Sequence, residues 1–195
     1  LLTLLPIDKR GDRMLLQSQI CDFGWKAPDF DLATADGIRH TRDQIMGPKG
    51  MLVAFICNHC PYVIAIVERL AADLHALQAE GIGCVAIMSN DYRDYPADAP
   101  ERMAEFAKTN GLQAPYLVDE NQSVGRSYNA ICTPDFFGFD KSGGLQYRGR
   151  LDSVGTHDDP LGRTPELLNA MRQVAQTGRG PKVQNPSMGC SIKWR

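Results

Sequence analysis

The stretch FICNHCPYV, residues 55–63, contains the closely spaced cysteine pair of this chain, Cys57 and Cys60. His59 lies between the two cysteines, and Pro61 follows them directly. Two thiols at this spacing are compatible with a redox-active dithiol, with half of a metal site, or with two small residues buried in a core. The sequence on either side of the pair favours the first of these interpretations.

A strand pattern precedes the cysteine pair and a helix pattern follows it. Residues 51–57, MLVAFIC, form a continuous apolar run, which predicts a strand buried on both faces. From Pro61 onward, apolar residues recur at steps of three and four, as on the buried face of a helix. Unpaired N–H groups and the helix dipole at a helix N-terminus favour a thiolate. We therefore expect Cys57 to be the exposed, attacking thiol and Cys60 the more buried, resolving thiol.

His59 is expected to tune this pair. An imidazolium next to Cys57 would stabilise the thiolate and therefore the reduced form, which makes the corresponding disulfide more oxidising. The alternative is a solvated loop histidine with no role in the chemistry. Pro61 lacks an N–H group, which costs little in a first helical turn, so it is interpreted as a helix starter.

The rest of the chain predicts an α/β fold. Strand and helix patterns alternate and are followed by a hairpin and a last helix, which implies a sheet covered by helices on both faces. These further elements are a hairpin within 28–46, a strand at 83–90, a helix at 101–110, a strand at 115–119, a helix at 121–130, a hairpin at 135–150 and a helix at 164–176. Residues 179–195 are basic and rich in Gly and Pro, and they are interpreted as a tail outside the regular fold.

Composition indicates an ordinary globular domain. The 195 residues are 43% hydrophobic and 23% charged, with a formal net charge of −2, which gives no reason to expect nucleic acid or a membrane surface as partner. No apolar run reaches the length of a membrane span, and the opening LLTLLPIDKR is a poor signal peptide. The chain does not begin with methionine, and Met14 is a plausible alternative start. We provisionally expect a cytoplasmic location.

Several segments together resemble a known family. APDFDL, FICNHCPYV, PYLVDENQSVGRSYNA and CTPDFFGFDKSGGLQYRGRLD occur in this order within residues 27–177, which resemble a thioredoxin-fold redoxin of the peroxiredoxin-like and TlpA-like branch. CNHCPYV, TPDFFGFD and the terminal GCSIKW resemble one bacterial family of redoxin-domain proteins in particular. The resemblance implies a central mixed β-sheet flanked by helices, with an N-terminal extension (1–26) and β-hairpin, a redoxin domain (27–178) and a C-terminal tail (179–195).

The resemblance also implies a second part of the site. Thr133 and Pro134 would form a loop that faces the dithiol, with Pro134 in the cis form. Such a loop would leave the Thr133 backbone free to pair with an extended substrate segment, and it would bar metal from the cysteines. The sequence departs from thioredoxin itself, because Ile56 replaces the Trp before the first cysteine and residues 51–56 lack the buried acid that relays protons.

Departures from the peroxiredoxins make peroxidase activity the second choice. Peroxiredoxins carry Thr or Ser three positions before the peroxidatic cysteine and Pro further upstream, whereas here Cys57 and Val53 occupy these positions relative to Cys60. The residues around Ile131 offer no arginine to activate peroxide. The predicted function is therefore a thiol–disulfide oxidoreductase without bound cofactor. Its partners would be a protein or small-molecule thiol or disulfide and an electron donor, and a thiol peroxidase is the alternative.

Two further cysteines are candidates for auxiliary thiols. Cys132 precedes the Thr133–Pro134 loop, and Cys190 lies in the tail, where Ile192 and Trp194 could dock on the body of the protein. We expect the tail to fold back and bring Cys190 near the dithiol or Cys132. The alternative is a stray thiol on a flexible tail.

A metal site is the least favoured interpretation. Zinc sites need four ligands, usually from two spaced pairs, and only three donors lie close together here. A copper-binding chaperone of the Sco type would use Cys57, Cys60 and the distant His157, although the Sco cysteines are one residue further apart. No metal cofactor is therefore expected.

Overall fold

The computed structural model describes residues 15–157, 159 and 161–195. The opening LLTLLPIDKR, the alternative start at Met14 and most of the predicted N-terminal extension lie outside the described residues. Strands and helices alternate along the described part. Its strands are β1 Leu15–Gln17, β2 Asp31–Thr34, β3 Arg39–Thr41, β4 Met51–Phe55, β5 Gly83–Met88, β6 Tyr116–Val118, β7 Cys132–Thr133, β8 Asp135–Phe139, β9 Leu145–Tyr147 and β10 Met188–Ser191.

Six α-helices and one short 3₁₀-helix, Pro96–Asp98, are described. The α-helices are α1 Arg42–Ile45, α2 Pro61–Ile64, α3 Val67–Ala79, α4 Pro100–Thr109, α5 Ser123–Ser127 and α6 Glu166–Thr177. Among the described residues, no helix combines the length and the apolar character needed to cross a membrane.

A seven-stranded mixed sheet forms the centre of the protein, in the order β3-β2-β6-β5-β4-β8-β9. β4 pairs in parallel with β5 and antiparallel with β8, and all five of its residues have no exposed surface. The predicted hairpin, β2 and β3, extends the sheet beyond β6. These features confirm the predicted thioredoxin-type α/β fold with a central mixed sheet flanked by helices.

The strand β4 is buried because each of its faces contacts a separate apolar core. Leu52 and Ala54 pack in one core together with residues of α2, α3, α4 and α6. Val53 and Phe55 pack in the other core with α1, α5 and a group of aromatic rings that includes Tyr128. The alternation of neighbouring residues between the two cores explains why the sequence of this strand is continuously apolar.

The helix predicted from Pro61 onward is interrupted after one turn. The N–H group of Ile66 donates to the carbonyl of Val63, three residues back, at 3.0 Å, and Ile66 has a φ of −117°. This tightened turn breaks the α-helical repeat between α2 and α3, while Val63 and Ile66 remain buried. The apolar spacing in the sequence therefore indicates the buried face correctly but not the break.

The prediction that residues 179–195 lie outside the regular fold is wrong for the end of the chain. β10 is the middle strand of a second, three-stranded sheet and pairs antiparallel with β1 on one side and β7 on the other. Beyond β10, Ile192 is 4% exposed within one of the cores, and its N–H group donates to the carbonyl of Ile131 at 3.2 Å. The guanidinium of Arg126 lies 4.5 Å from the centroid of the Trp194 ring. Apolar burial and strand pairing thus hold the C-terminus in place.

Replacement of Ile192 by alanine should destabilise the protein by about 2 kcal/mol or more, because it leaves a cavity in the core at the point where the C-terminus is attached. The matched control is Val183→Ala in the same segment, where the side chain is 85% exposed; it should change the free energy of unfolding by less than about 0.5 kcal/mol. Urea unfolding followed by tryptophan fluorescence measures both. Equal effects of the two substitutions would contradict a docked C-terminus.

Candidate active site

Cys57 and Cys60 lie between the end of β4 and the start of α2, and Cys60 is the residue that precedes the first turn of α2. The sequence places them correctly at a strand end and a helix start. Their exposure differs from the prediction, because Cys57 is only 1% exposed and Cys60 is not exposed at all. The expectation that Cys57 is exposed is therefore wrong, and its role as the attacking thiol stays a prediction. Both sulfurs are covered by the segments that contain Thr133 and Cys190.

The Thr133–Pro134 peptide bond is cis, and Thr133 contacts both sulfurs of the dithiol. The Thr133 hydroxyl oxygen lies 3.4 Å from the Cys57 sulfur. The Cys60 thiol donates a hydrogen bond to the Thr133 carbonyl oxygen at 3.1 Å. The two cysteines and the Thr133–Pro134 loop are thus brought together in one buried cluster.

The backbone of Thr133 is not free to pair with an outside segment, contrary to the expectation from the sequence. β7 pairs antiparallel with β10, and Thr133 lies opposite Cys190 in this register. The close approach depends on Gly189, since a Cβ atom there would lie 2.0 Å from the Thr133 carbonyl oxygen. The chain's own C-terminal strand therefore occupies the edge at which a substrate segment was expected.

This pairing places Cys190 directly on the dithiol. The sulfurs of Cys190 and Cys60 are 3.0 Å apart, and Cys190 is only partly buried. Cys132, on β7, is fully buried, and its thiol donates a hydrogen bond to the Pro134 carbonyl oxygen at 3.5 Å. Of the two auxiliary candidates, Cys190 is the one whose sulfur contacts Cys60. Cys60 is accordingly the middle sulfur of three, because its thiol is also within hydrogen-bonding reach of Cys57.

The central position of Cys60 decides where negative charge is most stable. Hydrogen bonds from the Cys190 and Cys57 thiols lower the pKa of Cys60, although burial opposes this effect. The pKa of Cys57 is raised by its hydrogen bond with Cys60, by burial and by the charge of Asp98. The pKa of Cys190 is raised by Cys60 and by burial. These pKa directions favour a thiolate at Cys60, whereas the sequence suggested one at Cys57.

His59 forms an ion pair with a residue that the sequence did not single out. Its Nδ1 atom lies 2.7 Å from Oδ2 of Asp98, whose side chain has no exposed surface. The His59 ring also stacks on Tyr95, with ring centroids 5.6 Å apart. The hydrogen bond with Asp98 raises the pKa of His59 above its ordinary value, although partial burial opposes this. An imidazolium thus lies next to the dithiol, but the carboxylate of Asp98 accompanies it.

Asp98 lies in the loop segment DYRDYPADAP, residues 91–100, and binds residues between the two cysteines. Its Oδ1 accepts a hydrogen bond from the backbone N–H of Asn58 at 2.8 Å, and its Oδ2 accepts one from the Asn90 amide at 2.8 Å. The sequence indicates a loop here, and nothing in its pattern distinguishes Asp98 from the other acids nearby. Asp98 differs from these acids because it is buried, at the end of the 3₁₀-helix Pro96–Asp98.

The metal-ligand candidates are arranged differently from the prediction. Among the described residues, the group close enough to hold an ion is Cys57, His59 and Asp98, whose donor atoms lie within 4.8 Å of one another. His157 is not in this group; it is exposed, and it lines a cleft of about 300 Å³ next to Pro134. Because the oxygens of Asp98 already accept three hydrogen bonds, the group is better explained as a hydrogen-bond network than as a metal site.

Comparison with known proteins agrees with this architecture. The sequence model of the AhpC/TSA family matches residues 23–148. No curated protein matches the chain. An uncharacterized conserved protein from Geobacillus kaustophilus is 36% identical in sequence, with a TM-score of 0.86 over 93% of this chain and 96% of its own. A hypothetical protein from Sinorhizobium meliloti 1021 is 37% identical, with a TM-score of 0.84 over 92% of this chain and 98% of its own.

A more distant structure shares the fold. The thioredoxin domain of a thiol-disulfide oxidoreductase from Bacteroides vulgatus is 16% identical, with a TM-score of 0.60 over 81% of this chain and 99% of its own. At this identity the likeness concerns the fold alone.

Replacement of Asp98 by asparagine should lower the pKa of His59 toward its ordinary value of 6.5, because the carboxylate that stabilises the imidazolium is lost. Since the folded-state pKa is raised, the ion pair stabilises the wild type fully below pH 6.5 and loses this contribution as the pH rises through the raised pKa. An NMR titration of the histidines measures the first effect. Unfolding at about pH 5.5 and about pH 8.5 measures the second.

The NMR titration and the unfolding measurements can each contradict the His59–Asp98 ion pair. The stability difference between the wild type and Asp98→Asn should be larger at the lower pH. A His59 titration that does not change on substitution, or a stability difference that grows with pH, would contradict the ion pair.

Proposed function

The chain belongs to the AhpC/TSA family, and from this premise and the site geometry we propose that it is a thiol–disulfide oxidoreductase whose Cys57 and Cys60 alternate between dithiol and disulfide. The family match confirms the predicted thioredoxin-fold redoxin of the peroxiredoxin-like branch. The narrower resemblance to one bacterial family through CNHCPYV and GCSIKW stays a prediction.

One observation carries the proposal: the sulfurs of both cysteines of a C-x-x-C segment contact Thr133, the residue before the cis-proline. Two cysteines at this spacing can close a small disulfide ring without moving the strand or the helix that carries them. Oxidation then joins the Cys57 and Cys60 sulfurs, with loss of two protons and two electrons to the partner. Thr133 holds both sulfurs in place while the bond forms or breaks.

The stabilised Cys60 thiolate supports an oxidising direction. A thiolate favoured by its neighbours stabilises the reduced protein, and therefore the disulfide is more readily reduced by a partner. This agrees with the oxidising tendency that His59 suggests in the sequence, although here the central position of Cys60 is its main source. The physiological reaction would then be oxidation of thiols in a partner.

His59 and Asp98 supply the proton transfer that the missing acid of β4 would provide. The raised pKa of His59 favours its protonated form, and a ring nitrogen of His59 lies in the same cluster as the Cys57 sulfur. When the disulfide opens, a proton is needed at Cys57, whose pKa is raised. His59 acts as the general acid in this step, and Asp98 orients it.

A protein partner is supported by the apolar surface around the site. Ile64, in the first turn after Cys60, is 55% exposed, and Met188, two residues before Cys190, is 42% exposed. Exposed apolar side chains grouped at a functional site are typical of surfaces that contact a protein. The cytoplasmic location stays a prediction.

A thiol peroxidase remains the second candidate, because the AhpC/TSA match and the lowered pKa of Cys60 are compatible with it. Two observations weigh against it. Cys60 has no exposed surface, and the buried guanidinium of Arg148 is paired with Asp135 at 3.0 Å. Copper binding through His157 has no support in the site, since His157 lies outside the cluster of potential ligands among the described residues.

Replacement of either Cys57 or Cys60 by serine should abolish or strongly reduce catalysed oxidation of thiols in a reduced, unfolded test protein, because the Cys57–Cys60 disulfide cannot form. The matched control is Cys84→Ala, a buried core cysteine of β5, which should keep the activity. Oxidative refolding of reduced ribonuclease, followed by recovery of its activity, is the assay. Activity that survives in Cys60→Ser would contradict the proposal.

The same variants separate the two candidate functions. The oxidoreductase account predicts that reduced wild-type protein reacts with a disulfide faster than with hydrogen peroxide at equal concentration. Peroxide reduction that is faster and depends on Cys60 but not on Cys57 would favour the peroxidase.

A further inference from the structure

We propose that Cys190 is the sulfur through which outside thiols exchange with the buried dithiol, by way of a Cys60–Cys190 disulfide. This inference rests on the proposed function of Cys57 and Cys60. It concerns how electrons pass between that pair and a partner thiol, and it places the reaction with the partner at Cys190 on β10.

The three cysteines of the cluster differ in their exposure to solvent. Neither Cys57 nor Cys60 is accessible, at 1% and 0% exposure, whereas Cys190 is partly exposed and its sulfur lies 3.0 Å from that of Cys60. A partner thiol must reach a disulfide sulfur to attack it. With β10 in place, Cys190 is the one member of this three-sulfur cluster with a partly exposed side chain.

Cys190 also occupies the position expected for a substrate cysteine. Cys190 lies opposite Thr133 in the β7–β10 pairing, at the edge where the sequence suggested that a substrate segment would pair. β1 holds the other side of β10, with Leu15 opposite Cys190. The Ser187 hydroxyl donates to the Pro134 carbonyl oxygen at 2.7 Å, just before β10 begins. The strand therefore presents Cys190 to Cys60 as a bound substrate cysteine would be presented.

The pKa directions favour the step in which the partner thiol attacks Cys190. External thiolate attack on Cys190 in a Cys60–Cys190 disulfide expels Cys60, and a thiol with a lowered pKa is the better leaving group. Cys190, whose pKa is raised, is by contrast a poor leaving group. Attack at Cys190 is therefore favoured both by access and by the stability of the thiolate that leaves.

The exchange balances in three steps. In the oxidised protein, the Cys190 thiolate attacks the Cys60 sulfur of the Cys57–Cys60 disulfide, which forms Cys60–Cys190 and releases Cys57, protonated by His59. A partner thiolate then attacks the Cys190 sulfur, forms a mixed disulfide and releases Cys60. The second thiol of the partner attacks the partner's own sulfur, which gives the partner disulfide and frees Cys190. The protein gains two electrons and two protons, and the partner dithiol loses them.

The test uses reduced glutathione as the attacking thiol. Wild-type protein and the variants Cys190→Ser and Cys132→Ser are first oxidised with glutathione disulfide, and the disulfides are mapped by mass spectrometry. Reduced glutathione is then added, the reaction is quenched with acid at timed points, and adducts are located on the peptides.

We expect the transient glutathione adduct of the wild type on Cys190. In Cys190→Ser, reduction of the Cys57–Cys60 disulfide should be about tenfold slower or more, because glutathione must then reach buried sulfurs. Cys132→Ser should behave like the wild type, since its thiol faces Pro134.

Two failures can be told apart. An adduct on Cys57 or Cys60 in the wild type, or a Cys190→Ser variant that is reduced as fast as the wild type, would overturn the role of Cys190 and leave the dithiol intact. Absence of a Cys57–Cys60 disulfide after the oxidation step would overturn the proposed function itself. Adduct mapping on the wild type needs no substitution, so it remains valid if a variant folds poorly.

Discussion

The antiparallel pairing of β7 with β10 is the interaction on which the rest of the site depends. It sets Cys190 opposite Thr133, and Thr133 in turn contacts the sulfurs of both Cys57 and Cys60. Without this pairing the dithiol would lie open at the end of β4. With it, three sulfurs are collected in one place and two of them are removed from solvent. The lack of a side chain at Gly189 is what permits the two strands to approach so closely.

Electrostatics at the site follow from this packing. A dithiol in thioredoxin-like proteins usually has its charge on the first cysteine, at the helix N-terminus. Here the first cysteine has the carboxylate of Asp98 nearby and a raised pKa, whereas the second receives hydrogen bonds from a thiol on either side. His59 contributes an imidazolium, but its ion pair with Asp98 makes the two residues together nearly neutral. The site therefore separates charge stabilisation, at Cys60, from proton transfer, at His59.

Much of this could be predicted from the sequence, and the rest could not, for definable reasons. The apolar run of β4 and the helical spacing after Pro61 place the cysteines correctly, since burial on two faces leaves a clear pattern. The resemblance to the redoxins leads to Thr133 and Pro134. Asp98 has no such signal, because only its burial distinguishes it from other loop acids.

The C-terminal strand cannot be predicted from the sequence for a similar reason. Its Gly- and Pro-rich, basic surroundings are typical of a tail, and four residues are too few to show strand periodicity. The burial of Cys57 cannot be predicted from the sequence, because β10, the strand that covers it, is distant in sequence.

The reduction potential of the Cys57–Cys60 couple tests the central claim most directly. Equilibration of the protein in glutathione buffers, followed by alkylation and mass spectrometry, gives the fraction of each cysteine that is oxidised. Stabilisation of the Cys60 thiolate predicts one two-electron couple shared by Cys57 and Cys60, with a midpoint of about −230 mV or more positive, against about −270 mV for thioredoxin. A more negative midpoint, or oxidation of the protein that leaves Cys60 reduced, would contradict the account.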